Sequence, residues 1–558
     1  MTSISKCVKT FIPMEILQKI TVYLADDKSS LYSCVLVSRH WCVNLMEILW
    51  SKPFHLSNSP HLIDTYLSFL PETSHDQLKL EKCVGSRKNE RNFMFDYPSF
   101  LRKLTIPFLC DAIEEYLRRE LNMTKFLSSN VFADSITLQT QAASDLQLFL
   151  EKQNVILREL CKLIYNKANI NEFKLYICTG KEEDASFFDR PEGCFALEEL
   201  MKSRDCFRGL KVFEFSGKGE VLAFFAKRCK KIETLKLFPV TTSITSKIEN
   251  CIDPSIQLIN SQTNLQNLEI HNWVTSKITS LLQSIRSQSN SLRSIKIVNC
   301  NLYNSQPLWY LSELQNLEEI TIRENRNFNE RLLVPLMKAK FHNLRSFIYK
   351  YQMNEFSDGV IIREEEFIED EVDLDEIFSS IVLNSKDNLE TVIINGFKTS
   401  QSLSNTLNSL VECKHLIELD IMLEKSEELL PLLLSIIENN QSLEKLSVTS
   451  NTFNRVHDHV DVRQYLPLFA RAFPQTFKSL RLFTPDWRFN TSTLKQFLRD
   501  ANFRIESMCW MNHGCYLKCS EVLRQYAKLK NCKLVFEEDC EFSNYNLGPF
   551  KINVTFNF

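Results

Sequence analysis

The stretch "SLRSIKIVNCNLYNSQPLWYLSELQNLEEITIRENRN", residues 291–327, contains one short apolar pattern twice. In each copy an apolar residue is followed by two other residues, a second apolar residue, one other residue and a third apolar residue. Alternation over the last three of these positions is typical of a strand that buries only one face. The stretch therefore predicts a structural repeat that contains one strand and occurs at least twice in succession.

The same pattern recurs along most of the chain. The copies are Leu210-Phe213-Phe215, Ile232-Leu235-Leu237, Leu265-Leu268-Ile270, Leu292-Ile295-Ile297, Leu317-Ile320-Ile322, Leu344-Phe347-Tyr349, Leu389-Val392-Ile394, Leu416-Leu419-Ile421, Leu443-Leu446-Val448, Phe477-Leu480-Leu482 and Ile505-Met508-Trp510. The first positions of successive copies are most often 27 residues apart, a spacing typical of leucine-rich repeats. Stretches between the copies, such as 276–289 and 426–440, have apolar residues at helical spacing.

A repeat of one strand and one helix cannot bury its apolar side alone, so neighbouring repeats have to stack. We therefore predict an α/β fold, a curved leucine-rich-repeat solenoid with parallel strands on the concave side and helices on the convex side. An ordinary α/β domain is the alternative, but its parallel strands usually read as continuous Val/Ile runs. Cys300, Asn325 and Asn451 stand where a side chain can satisfy backbone groups as the chain leaves the strand.

Weaker copies extend the predicted array towards the N-terminus. They are Leu101-Leu104-Ile106, Ile136 with Leu138, and Ile170-Phe173-Leu175, with a predicted helix at 144–166. The chain's last residues, "NYNLGPFKINVTFNF", alternate apolar and polar residues and predict a closing edge strand.

The segment "FIPMEILQKITVYLADDKSSLYSCVLVSRHWCVNLMEILWSKPF", residues 11–54, predicts three short amphipathic helices. Pro13 suits a first helical turn, Ser38 can cap the third helix, and Pro53 stops it. A unit of about 45 residues buries too small a share of its surface to be stable alone. Its many apolar side chains would also leave a large exposed patch, so we predict that it docks on another structural unit. The alternative is a helical cap on a larger domain.

The residues Ile12-Pro13-x-Glu15-Ile16-Leu17, Tyr23-Leu24, Ser30-Leu31, Val35-x-Val37-x-x-x-Trp41 and Leu49-Trp50 resemble the F-box signature, with Ile12 where Leu is usual. That resemblance implies binding to the Skp-type adaptor of cullin–RING ubiquitin ligases. The implied adaptor-binding residues are Ile12, Pro13, Ile16, Leu17, Ile20, Leu24, Leu31, Val35, Val37, Trp41, Leu49 and Trp50. Trp41, Trp50 and Leu17 are the expected anchors, since interface hot spots favour large aromatic residues.

Together, the helices and the repeats resemble the F-box/leucine-rich-repeat class. The predicted boundaries are 8–54 for the F-box, 55–98 for a connector and N-terminal cap, and 99–558 for the solenoid, with an acidic insertion at about 351–376. The class implies a non-catalytic substrate-recognition subunit of an SCF-type E3 ubiquitin ligase, which holds a target protein for ubiquitination. A ligase-independent scaffold or inhibitor with the same solenoid remains the alternative.

Target-binding residues are predicted only coarsely. Glu269, Lys296 and Thr321 lie between strand anchors and are candidates for the concave surface. The insertion also contains a run of acids, beginning with Glu364, Glu365 and Glu366, which predicts either a solvated loop or a docking arm for a basic target.

If the run is a docking arm, neutralising Glu364 to Glu366 should slow target capture, because interface charge affects the association rate more than the final affinity. Association kinetics at low salt would measure this effect. An unchanged rate would contradict the docking-arm hypothesis.

Composition argues against several other functions. A formal charge of −3 gives no basic field for nucleic acid, and no apolar run reaches the length of a membrane span. The first residues lack the apolar core of a signal peptide, and the 18 cysteines have no regular spacing. We therefore expect no nucleic-acid or membrane partner and a location in the cytoplasm, the nucleus or both.

No catalytic, metal or cofactor site is predicted. Only 10 glycines occur, which leaves few phosphate-binding loops. The "RVHDHVD" stretch (455–461) could hold a metal, but it falls in a long gap between repeats and favours a solvated loop. Four cysteines near the C-terminus lack the paired spacing of a zinc site; they are Cys509, Cys515, Cys519 and Cys532.

Overall fold

The computed structural model describes residues 13–24, 27–84, 93–120, 136–175, 199–203, 205–217, 219–238, 253–273, 278–302, 305–326, 328, 330–351, 373–395, 403–423, 427–450, 460–484, 487–501, 503, 506–512, 516–529, 533–537 and 550–557. The chain divides into two compact units, Met1–Thr263 and Asn264–Phe558. The predicted boundaries near residues 54 and 98 both fall inside the first unit.

The first unit begins with helices and continues into parallel strands. Its helices are α1 (Met14–Leu24), α2 (Lys28–Val35), α3 (Arg39–Leu49), α4 (Pro53–Leu56), α5 (Pro60–Leu67), α6 (Glu72–Leu80), α7 (Ile106–Glu120), α8 (Ile136–Lys167), α9 (Gly219–Arg228) and α10 (Pro254–Asn260), with a 3-10 helix at Tyr97–Phe100. Its strands are β1 (Lys103–Thr105), β2 (Glu172–Leu175), β3 (Val212–Phe215) and β4 (Thr234–Leu237). They pair in parallel in that order.

The second unit alternates strands and helices. Its strands are β5 (Asn267–His271), β6 (Ser294–Val298), β7 (Glu319–Arg323), β8 (Ser346–Lys350), β9 (Thr391–Asn395), β10 (Glu418–Leu423), β11 (Lys445–Ser450), β12 (Val460–Asp461), β13 (Ser479–Phe483), β14 (Trp487–Arg488), β15 (Ser507–Asn512), β16 (Lys533–Glu537) and β17 (Phe550–Asn557). Its α-helices are α11 (Ile278–Ser284), α12 (Leu374–Ser385), α13 (Ser404–Val411), α14 (Leu430–Asn439), α15 (Tyr465–Ala472), α16 (Thr491–Asp500) and α17 (Tyr516–Leu529). Further 3-10 helices span Ile285–Gln288, Trp309–Glu313 and Glu330–Lys338.

All eleven copies of the apolar pattern coincide with strands. In the second unit, β5 to β11, β13 and β15 pair in parallel with their sequence neighbours. The anchors whose side chains the structure describes are buried; Leu292, just before β6, and Ile295 and Ile297 of β6, for example, have almost no exposed surface. The residues between the anchors lie on the other face of the strands, which we call the open sheet face.

The connecting segments differ from the prediction of one helix in each repeat. After β6 and β7 the chain forms 3-10 helices instead of α-helices. Pro335 lies inside the second of them, and a proline cannot donate the backbone hydrogen bond that an α-helix interior needs.

Two predicted strands have to be corrected. Ile136 and Leu138 belong to the first turn of the long helix α8, not to a strand. The helical spacing of the following residues extends back through this pair and determines its conformation. The C-terminal strand β17 is not an edge strand either, because it pairs antiparallel with β15 on one side and with β16 on the other.

Polar side chains hold consecutive repeats together where strands end. Asn325 accepts a hydrogen bond from the backbone N–H of Cys300 (2.8 Å) and donates one to the carbonyl oxygen of Ile297 (3.0 Å). Cys300 itself is buried, and burial raises the pKa of its thiol to about 11, so it stays uncharged. The predicted role of Asn325 is therefore observed, whereas Asn451 lies outside the described residues.

A left-handed residue follows three successive strands. Asn272, Asn299 and Glu324 have φ angles of 54°, 50° and 57°, and the N–H of each donates to a carbonyl oxygen at the end of the next strand. Asparagine tolerates this backbone region better than glutamate does, because its short side chain can bond locally. Glu324 is therefore the least favourable residue of the three.

Replacing Glu324 by Asn should raise the free energy of unfolding by about 0.5–1 kcal/mol, because it relieves backbone strain. Denaturant unfolding would measure the change. The control is Glu428→Asn, at an exposed residue that is not left-handed. An equal gain in both variants would contradict the strain argument.

Candidate protein-binding surfaces

The N-terminal segment forms the three predicted helices around a small core of its own. Leu17 of α1 meets Val35 of α2 and both Leu45 and Met46 of α3 in a buried cluster. Trp41 is only partly buried at the edge of this cluster.

Side-chain caps fix the starts of the second and third helices. Asp27 accepts hydrogen bonds from the N–H groups of Ser29 (3.0 Å) and Ser30 (3.1 Å), and the hydroxyl of Ser30 also donates to it. These bonds from Ser30 hold the pKa of the Asp27 carboxyl below its ordinary value. Ser38 accepts from the N–H of Trp41, as its predicted role as the cap of the third helix requires.

Several large apolar side chains of this unit face outward. Ile16 and Ile20 of α1 are 47% and 36% exposed, while Leu36 and Val37, directly after α2, are 68% and 65% exposed. We call the set of exposed apolar residues on α1, on α2 and directly after α2 the apolar helix patch; it consists of Ile16, Ile20, Tyr23, Tyr32, Leu36 and Val37. Exposed groups of large apolar residues mark interaction sites when they lie close together.

The predicted adaptor-binding residues divide by their burial. Pro13, Ile16, Ile20 and Val37 are exposed; Leu24, Trp41, Leu49 and Trp50 are half-buried; Leu17, Leu31 and Val35 are buried; and Ile12 lies outside the described residues. Leu17 is only 1% exposed. Leu17 therefore belongs to the unit's own core, and its role as an adaptor anchor stays a prediction.

Trp50 joins the three helices to the segment that follows them. Its ring stacks on Tyr97, with ring centroids 4.2 Å apart, and lies 6.1 Å from the ring of Tyr66. Tyr66 is fully buried, and burial raises the pKa of its hydroxyl. This half-buried side chain thus packs in part against the protein itself, and its role as an adaptor anchor stays a prediction.

Backbone hydrogen bonds also join the end of the helical unit to the first strand, β1. The N–H groups of Arg102 and Lys103 both donate to the carbonyl oxygen of Ser51, each at 2.9 Å. One repeat later, two consecutive N–H groups, of Asn171 and Glu172, donate to the carbonyl oxygen of Arg102 in the same way. The carbonyl oxygen of Ser51 therefore accepts from the start of β1 as the carbonyl oxygen of Arg102 accepts from the start of β2, so the end of the helical unit acts as the repeat before β1.

Sequence reasoning left three patch residues out of the adaptor-binding set: Tyr23, Tyr32 and Leu36. A signal for Tyr23 was present, because it continues the helical spacing of Ile16 and Ile20. No comparable signal separates Leu36 from its buried neighbour Val35, since both are apolar and both fit a helix.

The open sheet face contains the three predicted target-binding candidates side by side. Glu269, Lys296 and Thr321 occupy equivalent positions on β5, β6 and β7. Lys296 lies between acids, 3.0 Å from Glu319 and 3.9 Å from Glu269. Thr321 is only 6% exposed, so Lys296 presents more of its side chain than Thr321 does.

The acidic run and the candidate metal ligands of the sequence lie mostly outside the described residues. Glu364, Glu365, Glu366, His457, Asp458 and His459 lie outside the described residues. Asp461 forms an ion pair with Arg463. Within the part of the chain that the structure describes, no group of three or more His, Cys, Asp and Glu residues is placed to hold a metal. Among the same residues, no helix is long and apolar enough to cross a bilayer.

Comparison with known proteins bears on the helical unit alone. Residues 10–55 match the family model described as F-box-like. A search of curated proteins found no match to the chain. The match covers the three helices, the junction residue Trp50 and the start of α4.

Proposed function

We propose that this protein is a substrate-recognition subunit of an SCF-type E3 ubiquitin ligase, and that it performs no chemistry itself. Its helical unit binds a Skp-type adaptor, and through it a cullin–RING ligase, while the repeats bind a target protein. Tethering raises the effective concentration of the target at the ligase, which makes ubiquitin transfer effectively intramolecular. Such a protein acts in the cytoplasm, the nucleus or both.

The observation that carries this proposal is the apolar helix patch within the segment that matches the F-box-like family. The unit has already completed its core with Leu17, Val35 and Leu45, yet Ile16, Ile20, Tyr23, Leu36 and Val37 remain exposed. Apolar side chains that the protein's own core does not need are available to a partner, and their burial supplies the driving force for association.

The junction supports the same function. Stacking of Trp50 on Tyr97 and the two backbone bonds to Ser51 attach the helical unit to the first strand within one compact unit. Glu47 adds an ion pair with Arg102 at 2.7 Å. A fixed attachment suits a receptor that has to hold its cargo at a set position relative to an adaptor.

Replacing Val37 or Ile20 by Asp should weaken adaptor binding at least about tenfold, because each change places an unpaired carboxylate in an apolar interface. The measurement is calorimetric titration of the purified chain with a purified Skp-type adaptor. The matched control is Leu383→Asp, on an exposed apolar residue of α12.

Circular dichroism should show that all three variants keep their helices. If Val37→Asp and Ile20→Asp bind the adaptor as tightly as the unmodified chain does, the proposed surface is wrong. If the unmodified chain does not bind the adaptor at all, the receptor proposal fails and the ligase-independent scaffold is favoured.

A further inference from the structure

Charged side chains on the open sheet face are matched with partners of opposite sign. Lys350 lies 3.4 Å from Asp420 across strand β9, and Lys445 lies 3.3 Å from Glu418 on the neighbouring strand. The remaining pairs are Lys103–Glu172, Lys174–Glu172, Lys174–Glu214, Lys236–Glu214, Lys296–Glu319, Lys296–Glu269, His271–Glu269 and Arg323–Glu324. Within each of the two units, most of the charges on this face are therefore neutralised by a neighbour.

Arg481, in the middle of β13, is the exception. Among the charged side chains of β1 to β11, β13 and β15 that the structure describes, it alone has no oppositely charged side chain in contact. Its aligned neighbours are uncharged: Ser447 on β11 and Cys509 on β15. Its guanidinium is exposed and lies over the ring of Phe483, 5.9 Å from the ring centroid.

Two hydroxyl groups next to Arg481 complete the arrangement. Ser447 is aligned with Arg481, and Thr449 is aligned with Phe483, on the adjacent strand β11. Both are half-buried, and within the described residues neither hydroxyl has a hydrogen-bond partner. One cation, an aromatic ring and two hydrogen-bond donors therefore face the same side of neighbouring strands.

We propose that Arg481, Ser447 and Thr449 bind a side-chain carboxylate in an acidic segment of a partner protein. This inference rests on the proposed function, because it takes the open sheet face as the surface that meets the target. The guanidinium can form two parallel hydrogen bonds with one carboxylate, and the hydroxyls can donate to its remaining lone pairs.

The number of charges favours a carboxylate over a phosphate group. A phosphate carries nearly two negative charges, and proteins usually recognise it with clusters of arginines. Arg481 supplies one positive charge, and the next cation on this face, Lys445, is already paired with Glu418. A single carboxylate matches that charge.

The Phe483 ring adds to the expected affinity. An arginine that stacks on an aromatic ring loses part of its hydration on that side and is partly held in position. Less conformational freedom is then lost when the carboxylate binds. The same ring offers apolar surface to a residue next to the acid, so an acidic residue beside an apolar one fits best.

The test uses the full chain and three fluorescein-labelled hexapeptides: alternating Leu and Glu, the same peptide with Gln for Glu, and the same peptide with phosphoserine for Glu. Fluorescence anisotropy at low salt measures binding. We expect the Glu peptide to bind best, Arg481→Ala to weaken it about tenfold and Arg481→Lys to weaken it less, because Lys keeps the charge without the paired bonds. The matched control is Arg499→Ala, on an exposed arginine of helix α16.

Four results would overturn the inference: failure of the Glu peptide to bind, equal binding of the Gln peptide, equal losses in Arg481→Ala and Arg499→Ala, or an Arg481-dependent preference for the phosphoserine peptide. Adaptor binding is measured on the same preparations. A chain that binds the adaptor but fails the peptide test contradicts the role of Arg481 and leaves the proposed function standing.

Discussion

Replacing Leu17 by Ala is expected to destabilise the three-helix unit by about 2–5 kcal/mol, the usual cost of emptying a buried leucine site. Leu17 is the contribution of α1 to the cluster that contains Val35, Leu45 and Met46. Because the unit is small, the loss of one such side chain removes a large share of its core. Hydrogen exchange of the backbone amides of α1 to α3 would report the loss directly.

The neighbouring residue Ile16 is the control for this prediction. Its side chain is half exposed, so Ile16→Ala should change the free energy of unfolding by no more than about 0.5 kcal/mol. The same change should weaken adaptor binding, because it removes part of the apolar helix patch. Equal protection from exchange in the two variants would show that Leu17 is not a core residue.

The second large effect is expected at Asp375, near the start of α12. Its carboxylate accepts hydrogen bonds from the N–H groups of Asn405 and Thr406, both at 2.7 Å, in the first turn of α13. Helix α13 has no side-chain cap of its own at Leu403. Asp375 is 4% exposed and thus caps the helix of the next repeat from inside the protein.

Asp375→Ala should lower the free energy of unfolding by about 2–3 kcal/mol, because it leaves two backbone N–H groups without a charged acceptor. Denaturant unfolding would measure the loss. Glu376→Ala, at the exposed neighbouring acid, should stay within about 0.5 kcal/mol of the unmodified chain. Equal losses in both variants would point to a general charge effect instead of the cap.

Much of the fold could be predicted because the repeat is short and its signal is local. Each copy has three apolar anchors at fixed offsets, so the pattern around Leu292 or Leu443 predicts a strand without knowledge of its neighbours. The prediction was wrong at Ile136 and Leu138 because two apolar residues fit both a strand and a helix. There the length of the following helical pattern determined the conformation, as the bounds of α8 show.

The candidate adaptor surface was predictable as a segment but not residue by residue. Helical spacing places Ile16, Leu17 and Ile20 near one another, yet only packing against α2 and α3 buries Leu17 and leaves the two isoleucines exposed. Trp50 shows the same limit. Its partner Tyr97 lies 47 positions further along the chain, and no local pattern relates the two rings.

By itself, the sequence determined the repeated strands, the three N-terminal helices and the cap at Ser38, because each depends on residues within one turn of a helix or one strand. Only the tertiary structure decided which apolar residues close the core of the helical unit and which face solvent. It also decided which charges on the open sheet face have partners and that Arg481 has no oppositely charged partner among the described residues. Those properties depend on contacts between residues far apart in the chain, and burial and ion pairing are settled only when these residues meet.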